Sequence, residues 1–385
     1  MKTLYLHIGT PKTGTTSIQA FMVQNQDELN RNGYCYPSMT FRNNSDDIYR
    51  NGHFTFGYLF KKKERCYDTE NQYRDAAYNK IQELFKTYDN VILSDEGIWH
   101  CGFREDCNVW ERLQQEMQTH NFTTKVIVYL RRQDDFLQSW WSQKIRTQPD
   151  FSNKSWDDTL QNLSDVPLLE LDYYKMITAI SKYIGKENII VRRFGRGYFD
   201  NDSLYTDFLN AVGLQHTDAY TIEEEILNSG LTKNCVEIKR AINQIPGVTK
   251  KEHQFFLDIL VEYSEKKGKD TRYTMYTEEE ARTLYEKYRN SNQKVAKEYL
   301  GMEQDLFEFS YIAKERWTPT NEEMPEDLIS FMAESILRTR REMDALNKEL
   351  TAVKNELEAQ KKQSNYMLGI LQHPVRAAGR KLKRK

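Results

Sequence analysis

The stretch Leu4-Tyr-Leu-His-Ile-Gly-Thr-Pro-Lys-Thr-Gly-Thr-Thr-Ser-Ile-Gln19 decides how this chain folds. Leu4, Leu6 and Ile8 alternate with other neighbours and stop at Gly9, the pattern of a short buried strand running into a tight loop. A helix follows the loop: Thr15, Thr16 and Ser17 are N-cap residue types, and Ile18, Phe21, Met22 and Leu29 lie behind them at helical spacing. A strand, a loop with two glycines and a helix N-terminus aim backbone N–H groups and the positive end of a helix dipole at one point. That arrangement suits an anion, phosphate above all.

The position of the lysine says which anion. A Walker A loop places its lysine directly after the second glycine, where it reaches the β- and γ-phosphates of a nucleoside triphosphate. Gly9 and Gly14 have the Walker separation, but Thr15 stands at the lysine position and the only lysine of the loop, Lys12, lies inside it. Gly9-Thr-Pro-Lys-Thr-Gly-Thr-Thr16 instead resembles the 5′-phosphosulfate-binding loop of sulfotransferases that use 3′-phosphoadenosine 5′-phosphosulfate (PAPS). The resemblance implies that Pro11, Lys12, Thr13, Gly14, Thr15 and Thr16 hold the 5′ end of the donor, with Lys12 neutralising charge on the leaving oxygen.

A second segment carries the same resemblance. Lys125-Val-Ile-Val-Tyr-Leu130 reads as a buried strand, Arg131 leaves its end, and Ser139 follows eight residues later on a helix that starts near Asp134 and Asp135. The family's 3′-phosphate-binding motif has an arginine and a serine at this spacing, although its usual Asn-Pro after the arginine is Arg132-Gln133 here. The alternative for Arg131 is a surface ion pair with Asp134 or Asp135. Asn188-Ile-Ile-Val-Arg-Arg-Phe194 through Leu214, and Ser291 to Gly301 followed by Leu306-Phe307, are similar to segments of prokaryotic sulfotransferases linked to surface glycans. The likeness reaches from Met1 to about residue 310 and implies a glycan acceptor and adenosine 3′,5′-bisphosphate as product.

Asn90-Val-Ile-Leu-Ser-Asp-Glu96 is a further strand, and it ends in two carboxylates. In an open α/β sheet, ligands gather at the carboxyl ends of the strands, so Asp95 and Glu96 stand where chemistry is expected. The acceptor hydroxyl needs a general base. Glu96 is the first candidate, with Asp95 and His53 after it, and each has a structural alternative as a cap, an ion pair or a loop residue. The same strand also resembles a Walker B segment, which keeps a Mg²⁺-dependent kinase or NTPase as the rival enzyme. A noncatalytic scaffold for glycan-assembly enzymes is the rival from another class. Trp99, Trp140, Trp141 and Trp156 suit core or lid packing better than sugar stacking.

The 385 residues suffice for one large α/β domain with an appendage, and a net charge of −2 gives no general attraction for nucleic acid. Cys35, Cys66, Cys101, Cys107 and Cys235 are scattered and form no CxxC pair, so reduced thiols are expected and no metal site. The first strand starts close to Met1 and no run of eighteen apolar residues occurs, so the expectation is a cytoplasmic protein without a signal peptide or membrane anchor.

Beyond Pro325 the composition changes. Met332, Leu346 and Val353 take one heptad position and Ile336, Met343, Leu350 and Leu357 the other, interrupted by Thr339 and Gln360. Self-association through residues 332–360 is expected, against the alternative of a single helix packed on the domain. From Met367 a short apolar stretch leads into Arg376, Arg380, Lys381, Lys383, Arg384 and Lys385. Residues 367–385 therefore suit either an anionic membrane surface, on the inner face of the membrane, or a solvated terminus.

Together these readings predict an α/β, P-loop-like three-layer fold. It has a central, mainly parallel sheet, a helical lid over about 215–300 and a C-terminal coiled-coil helix. The expected divisions are 1–325 for the main domain, 326–364 for the coiled coil and 365–385 for the basic tail.

Overall fold

The computed structural model describes residues 2–41, 45–56, 67–101, 107–151, 154–163, 170–222, 230–268 and 272–372. In chain order the strands are β1 (Thr3–His7), β2 (Tyr34–Cys35), β3 (Met39–Phe41), β4 (Ser45–Asp47), β5 (Asn90–Ser94), β6 (Thr123–Leu130), β7 (Ile189–Arg193), β8 (Tyr273–Thr274) and β9 (Glu315–Arg316). The early helices are α1 (Thr15–Gln24), α2 (Gln26–Arg31), α3 (Tyr67–Leu84), α4 (Gly97–Cys101), α5 (Val109–His120), α6 (Gln133–Thr147) and α7 (Trp156–Gln161). They are followed by α8 (Tyr173–Ile184), α9 (Leu204–Val212), α10 (Lys233–Asn243), α11 (Lys250–Lys267), α12 (Glu278–Leu300) and α13 (Met324–Gln372).

Five strands make the main sheet in the order β2-β5-β1-β6-β7, and every pair in it is parallel. The chain leaves β1 toward the β5 side and leaves β6 toward the β7 side. The winding therefore reverses between β1 and β6, and a crevice opens outside their carboxyl ends. The Lys12 loop follows β1 and Arg131 follows β6, so both motifs read from the sequence flank this switch point.

Alternation along each strand sorts the side chains into two layers. Leu4, Leu6, Val91, Leu93, Val126 and Val128 face Tyr78 and Ile81 of α3, Trp110 and Leu113 of α5, and Ile177 and Ile180 of α8. Tyr5, Ile92, Ile127 and Tyr129 face Ile18, Phe21 and Met22 of α1 and Phe208, Leu209 and Val212 of α9. The three-layer α/β fold expected from the sequence is what the chain adopts.

A separate core joins the remaining helices. Trp140 and Trp141 of α6 and Trp156 of α7 pack with Val236 of α10, Leu260 of α11 and Leu284 of α12. Trp99 is 1% exposed and Trp140, Trp141 and Trp156 are at most 4% exposed, so all four tryptophans are packing residues. The expected lid region contains α10, α11 and α12, and α10 is tied to α6 by an Asn243 side-chain bond to the Ile145 carbonyl at 2.8 Å. Cys35 and Cys235 are buried free thiols, and Cys107 is buried.

The long α13 is rooted in this helical core. Asp327, 1% exposed, accepts bonds from Asn234 at 2.7 Å, Tyr263 at 2.7 Å and Lys267 at 2.8 Å. Phe331 packs on Phe256, and the last ion pair outward is Arg338–Glu262 at 3.1 Å. Packing on the domain thus accounts for the first turns of α13 only. Among the described residues no helix is long and apolar enough to cross a membrane, and the basic segment from His373 onward lies outside them.

His7 ends β1 wholly buried, its Nδ1 hydrogen-bonded to the Ser94 hydroxyl at 2.9 Å and its ring edge-on to Phe208 and Tyr129. Burial pushes its pKa down to about 3, against a smaller upward pull from Asp95. The unfolded chain takes up this proton near pH 6.5 and the folded chain does not. Stability is therefore complete above pH 6.5 and falls as pH drops from there toward 3, by up to about 1.4 kcal/mol per pH unit for the one group. Urea unfolding of the parent chain and His7→Gln at pH 7 and pH 5 measures this. The parent is expected to lose more stability between the two pH values than the variant, and equal slopes would assign the acid sensitivity to other groups.

Candidate active site

The loop after β1 is fixed by continuing the β1–β6 ladder past the strand end. Ile8 N–H donates to Ile127 O at 3.0 Å, Tyr129 N–H to Gly9 O at 2.6 Å and Thr10 N–H to Tyr129 O at 2.8 Å. The Thr10 hydroxyl also donates to Tyr129 O at 3.1 Å, and the Thr13 hydroxyl donates to the Thr10 carbonyl. Two glycines make the turn. Gly9 has φ 90°, and a Cβ there would lie 2.9 Å from Pro11 N and 3.0 Å from Glu96 Cβ; Gly14 has φ 71°, and its Cβ would meet Leu204 Cδ2 at 2.5 Å.

Lys12 itself holds φ 66°, a left-handed conformation that costs a residue with a Cβ on the order of 1 kcal/mol or more. The N-cap of α1 is Gly14, not one of the threonines or Ser17, and no side chain caps the helix. The first-turn amides are thus left to face a ligand, as an anion site requires.

Three cations converge on this turn. The Arg131 guanidinium donates from Nη1 to the Lys12 carbonyl at 3.0 Å and lies over the Phe194 ring at 5.6 Å, while Tyr173 fixes the Arg131 carbonyl at 2.6 Å. The Lys12 ammonium donates to Gln143 Oε1 at 3.4 Å. Burial, then the neighbouring Arg146 and Arg131 charges, lower the Lys12 pKa, with Glu96 acting in the opposite sense. Arg146 is itself lowered by burial, and its Nε is enclosed without a partner.

Among the described residues none of Lys12, Arg131 and Arg146 forms an ion pair. The ion pair considered for Arg131 belongs to Arg132, which grips Asp134 at 2.7 and 2.8 Å. Ser139 is half-buried on α6, on the same helical face as Gln143 and Arg146, four and seven residues further on. The result is a cleft with surplus positive charge.

The carboxylates lie on the β5 side of the loop. Asp95 is fully enclosed: Oδ1 accepts from Arg50 at 2.7 Å and from the Gly97 N–H at 2.8 Å, and Oδ2 pairs with His53 Nδ1 at 3.0 Å. Burial raises its pKa, but the His53 and Arg50 contacts outweigh that and leave it lowered. Glu96 is 26% exposed at the side chain, takes a bond from Gln19 at 3.4 Å and lies 4.0 Å from Arg50. Burial first, then the Asp95 charge, raise its pKa above the ordinary carboxylate value. Of the two, Glu96 is the carboxylate with room for a substrate and affinity for a proton.

The structure therefore brings the Lys12 loop, Arg131, Ser139 and Glu96 around one crevice, with Asp95 and His53 behind Glu96. Sequence reasoning missed Gln19, Arg50, Gln143 and Arg146. Gln143 and Arg146 carried a usable signal, since they repeat the helical face of Ser139. Arg50 lies in a turn-rich stretch with no periodicity, so nothing local announced it.

No known protein-family profile matches the chain. A relative from Archaeoglobus fulgidus, an uncharacterized protein, is 27% identical over 180 residues, which is 46% of this chain and 46% of the relative. The match thus spans about half the length of that relative. Among solved structures, a sulfotransferase from Alicyclobacillus acidocaldarius is similar at TM-score 0.37 and 14% identity, over 62% of this chain and 92% of the other.

Proposed function

We propose that the protein transfers the sulfuryl group of PAPS to a hydroxyl of a carbohydrate acceptor. The observation that supports this most is the contact between the two anion motifs: the Arg131 guanidinium hydrogen-bonds the Lys12 carbonyl, so both face one crevice. Crowded cations that form no ion pair among the described residues and a helix start without a side-chain cap fit a ligand anionic at two points. PAPS is such a ligand. Its 5′-phosphosulfate would lie on Lys12 and the loop amides, and its 3′-phosphate on Arg131 and Ser139.

In the reaction the acceptor hydroxyl oxygen attacks sulfur, the bond from sulfur to the phosphate oxygen breaks, and adenosine 3′,5′-bisphosphate leaves. The hydroxyl proton passes to Glu96, whose raised pKa makes it the stronger base. Lys12 stabilises the charge that develops on the departing oxygen, and such a preorganised donor contributes roughly 10²–10³ in rate. Asp95 and His53 act as positioning residues here, since Asp95 holds both Arg50 and the His53 ring. The carbohydrate acceptor rests on the sequence likeness around β7–α9 and in α12.

The kinase reading fares worse on one point. A Walker B aspartate must reach a metal ion, and Asp95 spends its oxygens on Arg50, His53 and a backbone amide.

Titration calorimetry distinguishes the two nucleotides. Adenosine 3′,5′-bisphosphate is expected to bind, and Lys12→Ala and Arg131→Ala each to weaken it at least tenfold. Tighter binding of ATP with Mg²⁺ would reverse the assignment. A second test follows the proton. Sulfate transfer with saturating PAPS is expected to decline as pH falls through the raised Glu96 pKa, because only the ionised carboxylate accepts a proton. Glu96→Gln should lower kcat by roughly 10²–10⁴ and abolish that acid limb. A variant that retains both rate and limb moves the base to another group, His53 first.

A further inference from the structure

Among the described residues α13 makes no hydrogen bond or ion pair with the domain beyond Arg338, and Arg341 still borders a small cavity against Ile259 and Glu262 of α11. Every residue from 339 to 368 is exposed, although the helix continues unbroken to Gln372. At about 1.5 Å per residue those thirty positions extend roughly 45 Å from the domain. In proteins most helical stability comes from packing an apolar face, and this helix leaves large apolar side chains in solvent: Leu346 is 64% exposed, Val353 60%, Met343 58% and Leu350 51%.

We infer that α13 pairs with the α13 of a second copy of this chain in a parallel, in-register, two-stranded coiled coil. The charges beside the apolar seam select that partner and orientation. With Ile336, Met343, Leu350, Leu357 and Ser364 at heptad position a, position d holds Met332, Thr339, Leu346, Val353, Gln360 and Met367. Position g then holds Glu342, Glu349 and Glu356, and position e holds Arg340, Asn347, Lys354 and Lys361.

In a parallel pair each g residue faces the e residue five positions later on the other chain. Glu349 meets the partner's Lys354 and Glu356 meets the partner's Lys361, while Glu342 meets the neutral Asn347 of the partner subunit. No like charges oppose. In an antiparallel pair g faces g and e faces e, which sets glutamate against glutamate and lysine or arginine against its own kind along the stem.

The two polar d positions fix the register. In register, Thr339 and Gln360 each face their own copy and can share a hydrogen bond. A slip of one heptad sets Thr339 against Leu346 and Gln360 against Val353, burying polar groups without partners. The seam is only two positions wide in seven and is flanked by charge on both sides, a width that suits two strands.

This inference stands apart from the chemistry of the crevice, because no residue of the stem belongs to it. Sedimentation equilibrium of the full chain at micromolar concentration is expected to give twice 45.8 kDa. Leu350→Lys with Leu357→Lys should give a monomer with the domain's unfolding midpoint unchanged. Lys354→Glu with Lys361→Glu should weaken the dimer at least tenfold at low salt, and adding Glu349→Lys with Glu356→Lys should restore it. Gln360→Cys should cross-link to its own copy under mild oxidation, where the unsubstituted chain does not.

A monomeric parent chain, a trimer, or a dimer indifferent to the Leu350 and Leu357 substitutions would overturn the inference. So would a dimer that tolerates Lys354→Glu with Lys361→Glu, or one in which Gln360→Cys fails to link.

Discussion

The backbone bonds that Gly9 and Thr10 exchange with Tyr129 are the constraint on which the site depends. They carry the pairing of two central strands past the end of the sheet, so the turn that follows is held as firmly as the strands. Only a glycine at position 9 lets the chain run this close to Glu96. From that fixed point Lys12 takes its unusual backbone angle, α1 starts without a side-chain cap, and the Lys12 carbonyl is in reach of Arg131. The same short segment thus sets the position of the cationic side and of the carboxylate side together.

Charge is managed differently on the two sides of the crevice. Behind Glu96, the buried Asp95 is matched by Arg50, His53 and a backbone amide, so the charge there is balanced before any substrate arrives. Around Lys12 and Arg131 it is not. Burial depresses the affinity of both groups for their protons more than the nearby carboxylates, Asp135 and Asp134 for Arg131 and Glu96 for Lys12, restore it, and an arriving anion would relieve that cost. An imbalance of this kind is expensive for folding and useful for binding, which is why it is found in a crevice and not in the core.

Much of this was legible in the chain itself. The buried strands β1, β5 and β6 announce themselves as apolar runs ending in glycine, carboxylate and arginine, and their order with intervening helical periodicity implies a parallel sheet. The eight-residue step from Arg131 to Ser139 survives as a strand end and a helix face. Other features were hidden because they depend on contacts distant in sequence. The cap of α1 was read as a threonine or serine because those types usually cap helices, whereas a left-handed Gly14 packed against Leu204 takes the place. Arg132 and Arg131 look alike in sequence, and only the direction of α6 gives Asp134 to the first. Arg50 meets Asp95 across forty-five positions, a pairing that no local pattern carries.

The buried Asp327 at the base of α13 has one more implication. It holds Asn234 at one end of α10, and Asn243 at the other end of that helix holds the Ile145 carbonyl, one residue before Arg146. A single rigid strut of about sixteen ångströms, one eleven-residue helix long, therefore joins the root of the stem to the rim of the crevice. The foot of the projecting rod is thus linked to the helix that carries Gln143 and Arg146 through one continuous helix and not through a loop.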